Sequence, residues 1–315
     1  MALCLITAGS HQRAAAAVSP AKPMRLIVSS SPGGPNDIIA RALVQPWSDA
    51  LGRTIVVDNR AGAAGVIGTE IAARAAPDGH TLLLGFQGPL AIAPSLIGTS
   101  YNSLTDFLPI SLLVTAPFVL LAHPRVPAHS LKELIALAKS RPEKLNYASG
   151  GIGIGSHLSM ELLLHVAGAR MVHVPYKGAG PGLTGLISGE ADVMFAGVSA
   201  ALAHVRADRL RALAIGGTKR SALLPELPTI MESGFAVTAA SWYGVLAPRH
   251  TPQPIVSRLH RTLVDVLNTA VTKARLTELA FEVSGSTPEE FMALIREETS
   301  TWSKLVADLG LKGKT

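Results

Sequence analysis

The stretch that most constrains the fold is Ser31-Pro32-Gly33-Gly34-Pro35-Asn36-Asp37-Ile38-Ile39-Ala40-Arg41. A strand-like apolar run, residues 24–29, leads into it. Helical periodicity leads out of it, with Ile39, Leu43, Trp47 and Leu51 on one face. The paired glycines allow a tight turn and close approach to the main chain. Asn36 or Asp37 is expected to cap the helix. The first turn of such a helix carries unpaired N–H groups and a partial positive charge, so strand, turn and helix start together make a small anion site. An ordinary βα loop has the same outline, and these residues alone leave both readings open.

The unit recurs. A short strand at 54–57 enters a second glycine-rich turn at 61–65, with a helix expected over 65–75. A third strand at 81–84 runs into Gly85-Phe86-Gln87-Gly88-Pro89. This alternation predicts an α/β fold with a parallel sheet and helices on its faces. Pro46 should kink or break the first helix and Gly52 should end it. After a strand at 118–122 the pattern restarts. Ser130 and Glu133 form a capping box, and a strand at 145–148 enters the loop 149–157 before a second helix. Strands at 171–174, 191–195 and 212–215 follow, then a late strand at 242–247 and a helix over 254–267. Thr287-Pro288-Glu289-Glu290 starts a last helix, with Phe291, Leu294, Ile295, Trp302 and Leu305 on one face. Two βα series imply two lobes, with the chain crossing near 115–123 and 236–246. Residues 24–121 and 238–315 then form lobe 1 and residues 122–237 lobe 2, with the C-terminal helices packing back on lobe 1.

Composition excludes several classes. The 315 residues suffice for two domains, and 48% are hydrophobic but only 4% aromatic. The net charge is +6, yet Lys and Arg are scattered, so no nucleic-acid partner is expected. The apolar run 112–122 contains Pro117 and is too short to cross a bilayer. Cys4 is the only cysteine, which excludes an internal disulfide and cysteine-based metal sites. No H-E-x-x-H, EF-hand loop or Cys/His cluster occurs, so no metal and no cofactor are expected. Residues 1–23 read as a secretory signal-peptide remnant or a disordered N-terminus, with Leu3, Leu5 and Ile6 before an A-x-A-like site at 14–17.

Catalytic signatures are weak. Gly151-Ile152-Gly153-Ile154-Gly155-Ser156 resembles a dinucleotide fingerprint with Ser156 replacing the last glycine. The acidic residue expected about twenty positions on is absent, and His173, Tyr176 and Lys177 stand there. A second helix start aimed at an anion is the more economical reading. Gly197-Val198-Ser199-Ala200-Ala201 lacks the second glycine of a nucleophile elbow, and Ser199 reads as a helix cap. His157, just inside a helix, reads as a capping or packing residue. The loops 31–37, 85–88 and 149–157 are rich in Gly, Ser and Asn and lie where ligands of α/β sheets bind. They suit a small acid held without a catalyst. An enzyme on the same frame, NAD(P)-dependent or hydrolytic, is the competing class.

Several ordered motifs resemble one family. They are Pro32-Gly33-Gly34-Pro35-Asn36-Asp37, Val57-Asp58-Asn59-Arg60, Ala76-Pro77-Asp78-Gly79-His80, Leu145-Asn146-Tyr147-Ala148-Ser149, Gly155-Ser156-His157-Leu158, His173-Val174-Pro175-Tyr176-Lys177-Gly178 and Trp242-Tyr243-Gly244. Together they resemble the solute-binding proteins of tripartite tricarboxylate transporters, the Bug proteins. The resemblance implies a type II periplasmic binding protein fold: two α/β lobes, a two-strand hinge and closure around a small organic carboxylate. It also implies a monomeric, non-enzymatic periplasmic receptor with transporter membrane subunits as partners. Carried over, the ligand-binding residues are Pro32, Gly33, Gly34, Asn36, Asp37, Phe86, Gln87, Gly88, Ala148, Ser149, Gly155, Ser156, His157, Phe195, Ala196 and Gly197. Helix starts at Asn36 and Ser156 are expected to hold the charge, and Lys177 to be structural. Three places depart from the family pattern. Ser30 and Ser31 replace an aromatic residue, Phe86 and Gln87 replace small hydroxyl residues, and Ala196-Gly197 replaces a polar Asp or Asn. Loss of that polar wall suits a larger or more apolar acid.

Overall fold

The computed structural model describes residues 22–313, so the signal-peptide reading lies outside the described residues except at its last two positions. In chain order the first elements are β1 (Met24–Val28), α1 (Pro35–Leu51), β2 (Ile55–Asn59), α2 (Val66–Ala73), β3 (Thr81–Phe86), α3 (Ala93–Leu96), β4 (Phe107–Ala122), α4 (Leu131–Ser140), β5 (Asn146–Ser149) and α5 (Gly155–Ala167). Then follow β6 (Val172–Pro175), α6 (Ala179–Ser188), β7 (Val193–Gly197), α7 (Val198–Arg206), β8 (Arg211–Ile215), β9 (Ala240–Pro248), α8 (Gln253–Leu267), α9 (Ala270–Glu278), β10 (Glu282–Val283) and α10 (Pro288–Asp308).

Two α/β lobes result. In one, β1 lies between β2 and β3, all parallel, and β3 continues antiparallel into β9. In the other, β5 lies between β6 and β7, also parallel. The 16-residue strand β4 serves both. From Phe107 to Pro117 it pairs with β9, and from Phe118 to Ala122 it pairs with β7 and β8. The apolar cores divide in the same way. Trp47, Leu84, Val245 and Leu263 share one cluster, and Leu120, Tyr147, Leu163 and Phe195 share another. Helix α10 buries Phe291, Ile295, Trp302 and Leu305 against the first lobe's Leu83, Leu90 and Trp242. Burial of each such side chain contributes about 1.5–3 kcal/mol.

Several expectations are corrected. Helix α1 runs unbroken through Pro46. A proline inside a helix costs about 3 kcal/mol. Here Trp47 and Leu51 are buried just beyond it, and the Trp47 indole N–H donates to Thr262 Oγ1 at 3.1 Å. That burial offsets the cost. The α1 cap is neither Asn36 nor Asp37 but the main chain at Gly34, which has no side-chain acceptor. Ser199 likewise is not a cap, because it is the second residue of α7, whose N-cap is Gly197. The strand expected at 118–122 is the end of the much longer β4, whose first half was hidden by Pro109 and Pro117.

The lobes meet at a closed ring of three main-chain bonds. Phe118 N–H donates to Ala239 O at 2.9 Å, Ala239 N–H to Gly216 O at 2.8 Å, and Gly216 N–H to Phe118 O at 2.7 Å. A Cβ on Gly216 would lie 2.0 Å from the Ala239 carbonyl oxygen, so only glycine permits the approach. Gly216→Ala is therefore expected to destabilise the protein by at least about 1–3 kcal/mol, the range for overpacking a well-packed site. Urea unfolding measures it, and an unchanged midpoint would show that the ring is not needed.

Candidate functional site

A cavity of about 610 Å³ lies between the lobes. Lobe 1 contributes Ser30, Pro35, Asn36, Ala63, Ala64, Phe86, Gln87, Gly88, Leu96, Ile97, Ser241 and Tyr243 to its lining. Phe118 joins from the crossing strand β4, and from the other side come Ile152, Gly153, Ile154, Gly155, Ser156, Ala179, Phe195, Ala196 and Gly197. Among the described residues, no Asp, Glu, Lys, Arg or His lines it.

Four helices begin at this cavity. The N-caps of α1, α5, α6 and α7 are Gly34, Ile154, Gly178 and Gly197, and none offers a side-chain acceptor. By contrast Ser130, Thr269 and Thr287 cap α4, α9 and α10 through their side chains. Helices α2, α3 and α8 also lack side-chain caps. The turn before α2 holds Ala63 and Ala64 at φ 45° and 51°, and both residues line the cavity. The first N–H groups of a helix need acceptors from outside it. At the four cavity helices no N-cap side chain supplies them. Beside the α1 start, Asn36 is 3% exposed and its side-chain N–H₂ is buried without a partner. The Ser30 hydroxyl is in the same position. The arrangement offers hydrogen-bond donors and positive dipole ends with no positive side chain, which suits an anion such as a carboxylate.

Of the residues expected from sequence, Asn36, Phe86, Gln87, Gly88, Gly155, Ser156, Phe195, Ala196 and Gly197 line the cavity. Pro32, Gly33, Gly34, Asp37, Ala148, Ser149 and His157 do not, and several of these hold the lining loops from behind. The Asp37 carboxylate accepts from Gly33 N–H and Arg41 Nε, both at 2.9 Å, and from Asn59 Nδ2 at 3.1 Å. The Arg41 bond chiefly, with Gly33 and Asn59, holds this carboxyl below its usual range against the effect of burial. Asn59 also donates to Ser30 O at 3.2 Å, so the loop before α1 is tied to β2.

The second-lobe loop has its own brace. His157 Nδ1 accepts from Gly153 N–H at 3.1 Å, and Ser149 Oγ lies 2.7 Å from His173 Nε2 and accepts from Gly151 N–H at 3.1 Å. The His157 and His173 rings stack at 4.0 Å, with Tyr147 stacked on His173 at 4.7 Å. The Tyr147 hydroxyl bonds Glu161. Gly153 itself sits at φ +77°, and a Cβ there would fall 2.2 Å from Leu96 Cδ2 of the opposite lobe. Gln87 donates to Ala240 O at 3.0 Å and to Glu298 Oε2 at 2.7 Å, and the Trp302 indole also donates to Glu298 at 2.7 Å. Burial raises the Glu298 carboxyl above its usual range. Helix α10 is thereby anchored to the cavity wall. Lys177 is exposed and stands outside the lining.

Sequence reading missed Phe118, Ser241 and Tyr243, which sit on the crossing strands and read as core. It also missed Ala63, Ala64, Leu96 and Ile97. The available signal was Ile152 and Ile154, apolar residues within a glycine loop with no periodicity to bury them.

Burial, and for His157 the neighbouring His173 as well, lowers the histidines to about 3 and about 4. An unfolded histidine takes its proton near pH 6.5, well before these do. Their contribution to stability is therefore complete above about pH 6.5 and declines as the pH falls toward the folded values. The protein is expected to lose stability over that window, and His173→Phe should flatten the decline. Urea midpoints from pH 7 to pH 4 check this, and equal slopes for both proteins would contradict it.

Residues 39–311 match the family described as "Tripartite tricarboxylate transporter family receptor", TctC. Protein BugT of Bordetella pertussis is 38% identical over 314 residues, 98% of this chain and 96% of that protein. Among solved structures, the periplasmic binding protein BugD is 34% identical with a TM-score of 0.76, covering 93% of this chain and 99% of its own. An R. palustris protein with adipate is 32% identical with a TM-score of 0.79, covering 92% and 98%. With family match, identity and fold in agreement, the chain belongs to the TctC receptors, the Bug-type solute-binding proteins of tripartite tricarboxylate transport, and has their type II periplasmic binding fold.

Proposed function

We propose that this chain captures a small organic carboxylate between its lobes, in the periplasm, and delivers it to the membrane subunits of a tripartite transporter without chemical change. The observation that carries the reading is the meeting of four helix starts, none capped by a side chain, beside the unpartnered amide of Asn36. These groups bind negative charge, and nothing among the lining residues supplies a nucleophile paired with a base. The relative solved with adipate is consistent with an acid as the ligand. A single chain supplies both walls of the cavity, which is consistent with a receptor that works as a monomer. We assign residues 24–121 and 238–313 to lobe 1 and residues 122–237 to lobe 2. The switch of β4 partners at Phe118 and the Gly216–Ala239 bond support these limits.

Asn36→Asp separates binding from folding. The substitution keeps the shape, and an acidic residue in the first turn of α1 is favourable to the helix. It also replaces a free donor with a negative charge at the proposed carboxylate site. Melting without ligand reads the cost of the buried charge separately, while affinity for organic acids falls at least about a hundredfold, equivalent to ~2.7 kcal/mol. Calorimetric titration of an acid panel reads the loss. Undiminished acid affinity in the variant would place the charge elsewhere.

A further inference from the structure

The walls between the helix starts are apolar to an unusual degree for a site that takes an acid. Phe86 stacks on Tyr243 with centroids 6.3 Å apart and planes at 24°, and across the cavity Phe118 lies 6.5 Å from Phe195 at 44°. Ile97 and Ile152, from opposite lobes, are 40% and 41% exposed and both line the cavity. Large apolar side chains left facing a cleft mark a surface that is covered by something apolar.

Polar side chains in the lining are few. Ser30 and Asn36 stand by the α1 start, Ser156 lies in the first turn of α5, and Ser241 and Tyr243 bring hydroxyls from β9. Gln87 has already donated both its amide protons to Ala240 and Glu298. On the second-lobe wall Phe195 is followed by Ala196 and Gly197, which bring no polar side chain. Away from these few groups, a hydroxyl or a further carboxylate in mid-ligand would meet hydrocarbon, and burying a polar group without a hydrogen-bond partner is unfavourable. Volume argues the same way. At about 610 Å³ the cavity falls in the range of sites for drug-sized ligands, and a four-carbon acid would leave much of it as water against apolar walls.

We infer that the ligand is a carboxylic acid with an apolar body, an aromatic or medium-chain carboxylate, and that short hydroxy acids are rejected. The helix starts hold the carboxylate, and the two aromatic pairs with Ile97 and Ile152 enclose the hydrocarbon. The inference rests on the carboxylate reading above, and it adds what the remainder of the molecule must be.

Isothermal titration of the intact protein with 4-phenylbutyrate, malate, citrate and the neutral 4-phenylbutanamide tests it. 4-Phenylbutyrate is expected to bind at least about tenfold tighter than malate or citrate, since each well-placed apolar group in a hydrophobic pocket discriminates by that order. The amide should bind at least about tenfold weaker than its acid, because it lacks the charge that the helix starts favour. Malate or citrate binding as tightly as 4-phenylbutyrate would overturn this inference and leave the carboxylate reading standing. An amide as tight as the acid would overturn the carboxylate reading itself, and the inference with it. Binding of none of the four would do the same. Phe118→Ala adds an independent check: it should lower the preference for 4-phenylbutyrate over malate, and an unchanged preference would remove the aromatic wall from the account. If that variant fails to fold, the ligand series on the intact protein decides alone.

Discussion

Unmet main-chain hydrogen bonding at helix starts is the constraint on which the site depends. Every helix begins with N–H groups that lack acceptors within the helix. Away from the cavity Ser130, Thr269 and Thr287 supply them to α4, α9 and α10, though α8 has no side-chain cap. At the cavity the chain places Gly34, Ile154, Gly178 and Gly197 instead, and so leaves the donors open. Such donors attract a carboxylate while lacking the long-range pull of a lysine or arginine. A receptor that must also release its ligand benefits from that. Neutral donors held rigidly give specificity in geometry, and no buried ion pair has to be broken on release.

Rigidity comes from charges and rings placed behind the lining. Asp37, with Arg41 and Asn59, ties down the loop before α1, and His157, Ser149 and His173 tie down the loop before α5. The two braces differ chemically but do the same mechanical job, since each accepts a main-chain N–H from its loop. Glu298 extends the pattern to the third loop by accepting from Gln87, which makes the C-terminal helix part of the wall. The ring of bonds at Phe118, Gly216 and Ala239 sets where the two halves join, and Phe118 belongs to both that ring and the cavity. The cavity wall and the crossing strands therefore meet in one residue.

Much of this was legible from the sequence. The βα alternation, the restart near residue 120 and the late strand gave the α/β architecture, because apolar runs and glycine turns report local geometry directly. The strand-end loops report themselves for the same reason, and Asn36, Gln87, Gly155 and Ser156 of those loops line the cavity. Other residues were not legible. Asp37 and His157 look like ligand contacts by position, and only side-chain direction shows that they face the loops instead. Phe118 and Tyr243 sit in apolar strands, where period and composition cannot separate a core face from a cavity wall. The length of β4 was masked by two prolines, tolerated where its pairing with β9 shifts register and at its last pair with that strand. Helix α1 passes through Pro46 because tertiary burial of Trp47 outweighs a local preference.

The central claim is that main-chain N–H groups, and not a cationic side chain, hold the ligand's charge. Proton–nitrogen correlation spectra of isotope-labelled protein, recorded during titration with a bound acid and with its neutral amide, test it most directly. The account predicts downfield shifts for the backbone amides of Asn36, Gly155, Ser156, Ala179 and Val198 with the acid, much reduced with the amide, and no change at the Lys177 side chain. Shifts confined to a lysine or arginine side chain, with those backbone amides unmoved, would contradict it.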